Sequence, residues 1–92
     1  MVFLVVESSP KIRESLCYVL LARTGPLTLT VLDLTGRLVR TLAAGAVLDA
    51  GPRTIPWDGC DATGARVPAG VYFARLEAGG VTRVSPIVKL ER

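Results

Sequence analysis

The chain contains no histidine. That absence removes the commonest general base at neutral pH and the commonest protein ligand for transition metals. Cysteine is nearly as scarce: Cys17 and Cys60 are the two among 92 residues. They are too far apart for a Cys-x-x-Cys pair, and without histidine they cannot complete an ordinary zinc site. A disulfide between them requires their Cα atoms to lie within about 7 Å. Otherwise Cys17 reads as a small strand residue and Cys60 as an exposed loop thiol. Ser8, Ser9, Ser15 and Ser85 have no histidine to activate them, and Lys11 and Lys89 fall in no evident site. The inventory therefore predicts no enzyme, no cofactor and no metal.

Long apolar runs are also missing. Met1–Val6 is too short for a secretory core, which needs roughly 7–15 apolar residues behind a basic segment. Nothing approaches the roughly 20 residues of a membrane span. Eleven basic residues face eight acidic ones, a net charge of +3, and nine of the eleven are arginines placed singly along the chain. Nucleic-acid binding needs a clustered basic face, so no nucleic-acid partner is expected. What the chain does have is apolar residues. Half of it is hydrophobic and its mean hydropathy is +0.46, enough for one domain with a core.

The most informative stretch is Trp57–Leu76. A strand ending in an aromatic meets Asp58-Gly59, a polar loop follows, and Pro68-Ala69-Gly70 launches an alternating strand with Tyr72, Ala74 and Leu76 on one face. Upstream, Leu27, Leu29 and Val31 alternate with Thr28, Thr30 and Leu32, a period-two strand. Asp33-Leu34-Thr35-Gly36 reads as a tight turn back into Leu38–Leu42. Ala43–Gly51 reads as a small-residue loop. Arg53–Trp57 reads as a strand whose Pro52 and Pro56 place it at a sheet edge or bulge. Ala78-Gly79-Gly80 turns into a last strand, Val81–Leu90, where Pro86 predicts another edge or bulge. The beginning is ambiguous. Val2–Val6 suits a strand that Glu7-Ser8-Ser9-Pro10 ends, and residues 15–21 suit strand or helix equally. Six or seven short strands with a turn every eight to twelve residues make a two-sheet sandwich.

Leu29–Leu42, Trp57-Asp58-Gly59, Gly64–Tyr72 and the ending Ile87–Arg92, in this order and spacing, resemble the FlgD-like immunoglobulin-like domain. That is the module of flagellar hook-capping proteins, and it is similar to the C-terminal sorting domains read by the type IX secretion system. The resemblance covers roughly residues 10–92. It implies an all-β fold, a small Ig-like antiparallel β-sandwich over residues 15–92, with residues 1–14 as a lead-in segment or linker. The chain departs from the pattern in lacking the usual Asn and Phe near Pro10, in having Leu32 where Tyr is common, and in carrying Ser85-Pro86 where a basic residue is common.

The motif residues Asp33, Gly36, Trp57, Asp58, Gly59, Gly70 and Tyr72 read as structural: Trp57 as the anchor between sheets, Asp58 as an acceptor in its own turn, the glycines as holders of strained backbone. Val88, Lys89, Leu90 and Arg92 are the candidate sorting signal. The resemblance implies a non-catalytic C-terminal module of an exported bacterial protein, extracellular or at the cell surface. Such a module would serve secretion sorting or anchoring through a protein partner, by strand addition at a sheet edge. The alternative is an architectural assembly domain whose contacts are exposed apolar residues, with Leu32, Leu34, Val71 and Phe73 as candidates. A remote alternative rests on Phe3–Leu21, which resembles the opening of a response-regulator receiver domain. It would make residues 11–21 a helix, yet it offers only Glu7 where two carboxylates are needed for Mg²⁺. Asp58 and Asp61 also invite a calcium reading, but the loop lacks the alternating oxygens and final Glu of an EF-hand, so turn chemistry is the better account.

Overall fold

The computed structural model describes residues 2–9 and 14–90. Seven strands follow in order: β1 (Val2–Ser9), β2 (Glu14–Leu21), β3 (Gly25–Leu32), β4 (Leu38–Leu48), β5 (Gly51–Trp57), β6 (Gly70–Ala78) and β7 (Val81–Lys89). They form two antiparallel sheets, β1-β2-β5 and β4-β3-β6-β7. The fold is the expected all-β sandwich.

The core is built by period-two alternation. Cys17, Val19 and Leu21 point inward from β2, Leu27, Leu29 and Val31 from β3, Tyr72, Ala74 and Leu76 from β6, and Ile87 from β7. Trp57, fully buried at the end of β5, joins the same cluster. The Val, Leu and Ile side chains among them each contribute on the order of 1.5–3 kcal/mol by leaving water.

Three local expectations are corrected. Residues 14–21 form a strand, and no helix occurs among the described residues, which removes the receiver-like reading. The strand beginning at Val2 does not stop at Glu7. It runs to Ser9 in unbroken register with β2, from Val2↔Leu21 to Ser9↔Glu14; Pro10 lies outside the described residues. The residues read as a loop, Ala43–Gly51, are mostly strand, because β4 continues to Leu48. Small residues remain pairable here because the register shifts between Leu27/Leu29, Leu29/Thr30 and Val31/Leu32 absorb the excess length of β4.

The prolines sit where a missing N–H is tolerated. Pro52 and Pro56 lie on β5 and Pro86 on β7, both edge strands. The β6–β7 register passes Pro86 without a break, from Gly70↔Lys89 to Ala78↔Val81, so Pro86 marks an edge and not a bulge.

Side chains close the two open flanks of the sandwich. On one flank, Ser8 Oγ donates to the Val88 carbonyl at 2.7 Å and Arg83 Nε donates to the Val2 carbonyl at 3.2 Å, joining β1 to β7. On the other, Arg40 of β4 reaches the loop after β5. Its Nη1 pairs with Asp58 Oδ1 at 3.1 Å and donates to the carbonyls of Cys60 and Asp61 at 3.2 and 3.4 Å.

Candidate functional site

At the end of β5 the chain must turn away from the core without exposing Trp57. The indole Nε1 donates to the Cys60 carbonyl at 2.9 Å, so the loop folds back over the ring's polar edge. Asp58 Oδ1 accepts the Cys60 N–H at 2.9 Å, and the Val67 N–H donates to the Gly59 carbonyl at 3.0 Å. A single bridge pairs Cys60 with Arg66. Tyr72 meets Trp57 edge to face, with centroids 5.5 Å apart and planes at 65°. Its hydroxyl donates to the Pro68 carbonyl at 2.7 Å, the corner arrangement found in immunoglobulin-type sandwiches. Burial and the nearby Asp33 charge hold the Tyr72 phenol above its ordinary pKa of 10.0.

Gly59 holds a backbone conformation that a side chain would strain. Its φ is +78°, and a Cβ there would lie 2.8 Å from Lys89 Cε and 3.1 Å from Arg66 Nη2. Lys89, on the last strand, is only 7% exposed. Its aliphatic stem is thus packed against the loop backbone, and Leu90 emerges beside the Trp57 loop.

Asp33 and Asp61 build the same turn twice. Asp33 Oδ1 accepts Thr35 N–H, Thr35 Oγ1–H and Arg37 N–H at 2.9, 2.7 and 3.0 Å. Asp61 Oδ1 accepts Thr63 N–H, Thr63 Oγ1–H and Ala65 N–H at 2.9, 2.6 and 3.2 Å. In each, the glycine N–H three residues on donates to the Asp carbonyl at 3.0 Å, and Gly36 and Gly64 take φ of +85° and +90°. These bonds, the Thr hydroxyls first, hold both carboxyls below their ordinary pKa of 3.8. Among the described residues no group of three or more Cys, Asp or Glu is arranged to hold a metal ion.

Of the residues singled out in the sequence, the structure brings Trp57, Asp58, Gly59, Tyr72 and Lys89 together, with Asp33 close enough to influence Tyr72. Gly36 stands apart at its turn, and Gly70 opens β6. Val88 and Leu90 are exposed, and Arg92 lies outside the described residues. Leu34 and Val71 are exposed, whereas Leu32 and Phe73 are half-buried. Cys60 is corrected: it is 9% exposed, not a surface thiol, because the loop closes over it. Both cysteines are free thiols, and burial pushes the Cys17 thiol up to about 11.

Sequence reasoning missed two features. One is the repeated Asp-x-Thr-Gly, legible as Asp33-Leu-Thr-Gly36 and Asp61-Ala-Thr-Gly64. The other is an apolar outer face on the three-stranded sheet, formed by Phe3 (50% exposed), Val5 (61%), Tyr18 (38%) and Leu20 (43%). Phe3 pairs with Leu20 and Val5 with Tyr18 across the ladder. No period-two signal marks it in the sequence, because Val2–Val6 are apolar without a break.

Comparison with known proteins agrees with the geometry. The FlgD Ig-like domain family matches residues 13–80. The fold is similar to dimeric latent PorU from Porphyromonas gingivalis, with a TM-score of 0.74 at 18% identity, covering 100% of this chain and 9% of that one. It is also similar to FlgD from P. aeruginosa, with a TM-score of 0.64 at 22% identity, covering 90% of this chain and 65% of that one. The chain thus spans a small part of the first protein and about two thirds of the second. No curated protein matches it. The match over residues 13–80, on a seven-strand sandwich with a buried Trp57–Tyr72 corner, places the chain in the FlgD Ig-like domain family.

Proposed function

We propose that the chain is a non-catalytic sorting or anchoring module of an exported bacterial protein, and that its information lies in the last strand. The observation that supports this reading is the position of β7. It is an edge strand whose end is pinned by the buried Lys89 stem against Gly59, while Val84, Val88 and Leu90 face solvent. Leu90 therefore leaves the domain at a fixed place, beside a rigid loop. Part of the outer edge of β7 is already covered by β1 through Ser8 and Arg83, so a protein partner would read the strand through the outward Val84, Val88 and Leu90, with strand addition confined to its end. The partner would be a secretion or surface-anchoring machine of the type IX kind that the sequence resemblance implies. Lys89 acts in this reading by fixing the strand end, while Val88 and Leu90 present side chains.

The test is a secretion assay. Residues 1–92 are fused behind a periplasm-directed reporter in a host with a type IX system, beside a copy ending at Gly80. Export of the full fusion alone supports the reading. Retention of a folded full fusion in the periplasm rejects it.

An architectural reading has its own support in the apolar outer face of the three-stranded sheet, which a module used only through its last strand does not need. Substituting Tyr18 and Leu20 by Lys separates the two: export persists in the sorting reading, and assembly with neighbouring protein is lost in the architectural one.

A further inference from the structure

We propose that β4 pairs edge to edge with β4 of a second copy of this chain, antiparallel, about a two-fold axis between Leu42 and Ala43. The inference is independent of whether β7 is a sorting signal.

The strands β1, β5, β4 and β7 edge the two sheets. An edge strand presents unpaired N–H and C=O groups to any strand that can reach it. β5 loses donors to Pro52 and Pro56, and β7 loses one to Pro86. β1 and β7 are also stitched to each other through Ser8 and Arg83. β4 contains no proline. Its one charged residue, Arg40, is drawn to Asp58 and the loop after β5. At 11 residues β4 is the longest strand described, and it pairs with β3 alone. Its sheet is one strand wider than the other, and β1 lies by β7, so β5 stands back and leaves the β4 edge accessible.

Bulges are a further way to spoil an edge, and here their placement selects the occupant. Two residues of β4 oppose one of β3 at Val39-Arg40 against Val31, Leu42-Ala43 against Leu29, and Ala44-Gly45 against Thr28. The strand therefore changes face out of step with a regular period of two. Directly opposed residues of an antiparallel pair share a face, so a partner strand must change face at the same places. β4 itself does so in one register. Leu38 meets Val47, both exposed; Val39 meets Ala46, both half-buried; Thr41 meets Ala44, both exposed; Leu42 meets Ala43, both half-buried. The mismatch is Arg40 against Gly45, where glycine has no side chain to conflict. A shift by one residue in either sense sets exposed against half-buried at most rungs, Val39 against Val47 or Thr41 against Ala43 among them.

Leu38 and Val47, 62% and 70% exposed in one copy, cover each other at both ends of the paired stretch. Charge does not oppose the pairing. Asp33 and Arg37 precede the strand, Asp49 and Arg53 follow it, and Arg23 lies beside the latter end, where Thr24 Oγ1 accepts the Ala50 N–H. In this register Arg37 of one copy falls next to Asp49 of the other. The same edge serves both copies, so the assembly closes at two. One strand pair between small side chains is a weak contact, and the expected state is a monomer–dimer equilibrium that responds to concentration.

Sedimentation equilibrium on the 92-residue chain, from low micromolar to millimolar, tests the association, and charge pairing tests the register. Average mass should rise from monomer towards dimer and stop there. A chain carrying Thr41→Glu and Ala44→Glu should keep its thermal melt, because both positions are exposed, and raise the dissociation constant at least tenfold, because like charges then stand opposite each other. Thr41→Lys with Ala44→Lys should do the same, and mixing the two variants should restore the dimer as a heterodimer. Mild oxidation should link a Leu38→Cys chain to a Val47→Cys chain, whose Cα atoms lie within disulfide reach in this register, and leave Leu38→Cys mixed with Ala44→Cys unlinked. Monomer at every concentration, growth beyond dimer, a dimer indifferent to the glutamates, no restoration on mixing, or equal linking of the two cysteine mixtures would each overturn the proposal.

Discussion

The carbonyl oxygen of Cys60 accepts two donors, the Trp57 indole and the Arg40 guanidinium. One backbone atom thus ties the deepest side chain of the core to the β4 flank. Replacing Trp57 by Ala removes the ring, its contact with Tyr72 and the donor together. It should destabilise the domain by about 3–5 kcal/mol, a large share of the 5–15 kcal/mol typical of small domains. A urea titration measures this, and a loss under about 1 kcal/mol would refute the anchor role. Gly59→Ala adds a Cβ at positive φ against the Lys89 stem and should cost on the order of 1–3 kcal/mol. Combining it with Lys89→Ala should recover only the steric part, a non-additivity that a double-mutant cycle reads directly. The thiols offer a kinetic check. Ellman's reagent at neutral pH should label Cys17 and Cys60 only as fast as the domain opens, and both at once in denaturant. Its polar sequence neighbours make Cys60 read as exposed, yet it is buried. The residues that bury it arrive from the returning half of the loop, and nothing local announces that return.

At the scale of elements, the two Asp-x-Thr-Gly turns explain how the β3–β4 hairpin and the β5–β6 connection hold their shapes with little core beneath them. They also give stability an acid limb. The folded pKa of each carboxyl is lowered, so on acidification the unfolded chain takes up these protons first. The contribution is complete above the ordinary value of 3.8 and is lost as pH falls below it through the folded value. Melting temperature should therefore drop below about pH 4, and the Asp33→Asn, Asp61→Asn double variant should flatten that drop. Cys17 works in the opposite direction. Its folded pKa is raised from 9.0 to about 11, so its contribution is complete below 9.0 and is lost as pH rises through 11. Urea midpoints measured against pH should show this alkaline decline reduced in Cys17→Ala. Alternation made β3 and β6 legible in the sequence, because their polar and apolar residues take turns. It failed for β4, whose residues 43–46 are small and whose bulges break the period.

For the whole molecule, the two-sheet sandwich is readable because turn residues punctuate the chain at regular intervals and the central strands β3 and β6 alternate; central β2, apolar without a break over residues 16–21, does not. The sheet partnership of β1 was not readable. Its eight pairs with β2 come from contact between segments whose polarity gave no periodic cue beyond Val6. The sandwich needs β1: Val2 belongs to the core, and Leu4 and Val6 pack against it. A chain beginning at Glu14 should therefore lose cooperative melting even though it keeps nearly all of the stretch matched by the family, 13–80. Scanning calorimetry would show this as a broad or absent transition.

The flank stitched by Ser8 and Arg83 has a mechanical consequence. Val2 lies by Arg83 and Ser8 by Val88, so β1 and β7 run side by side in the same direction. Tension applied between the start of β1 and the end of β7 pulls the two strands in opposite senses along their length. The ladders holding each to its sheet then lie across the force and must yield together in shear, instead of peeling open one rung at a time.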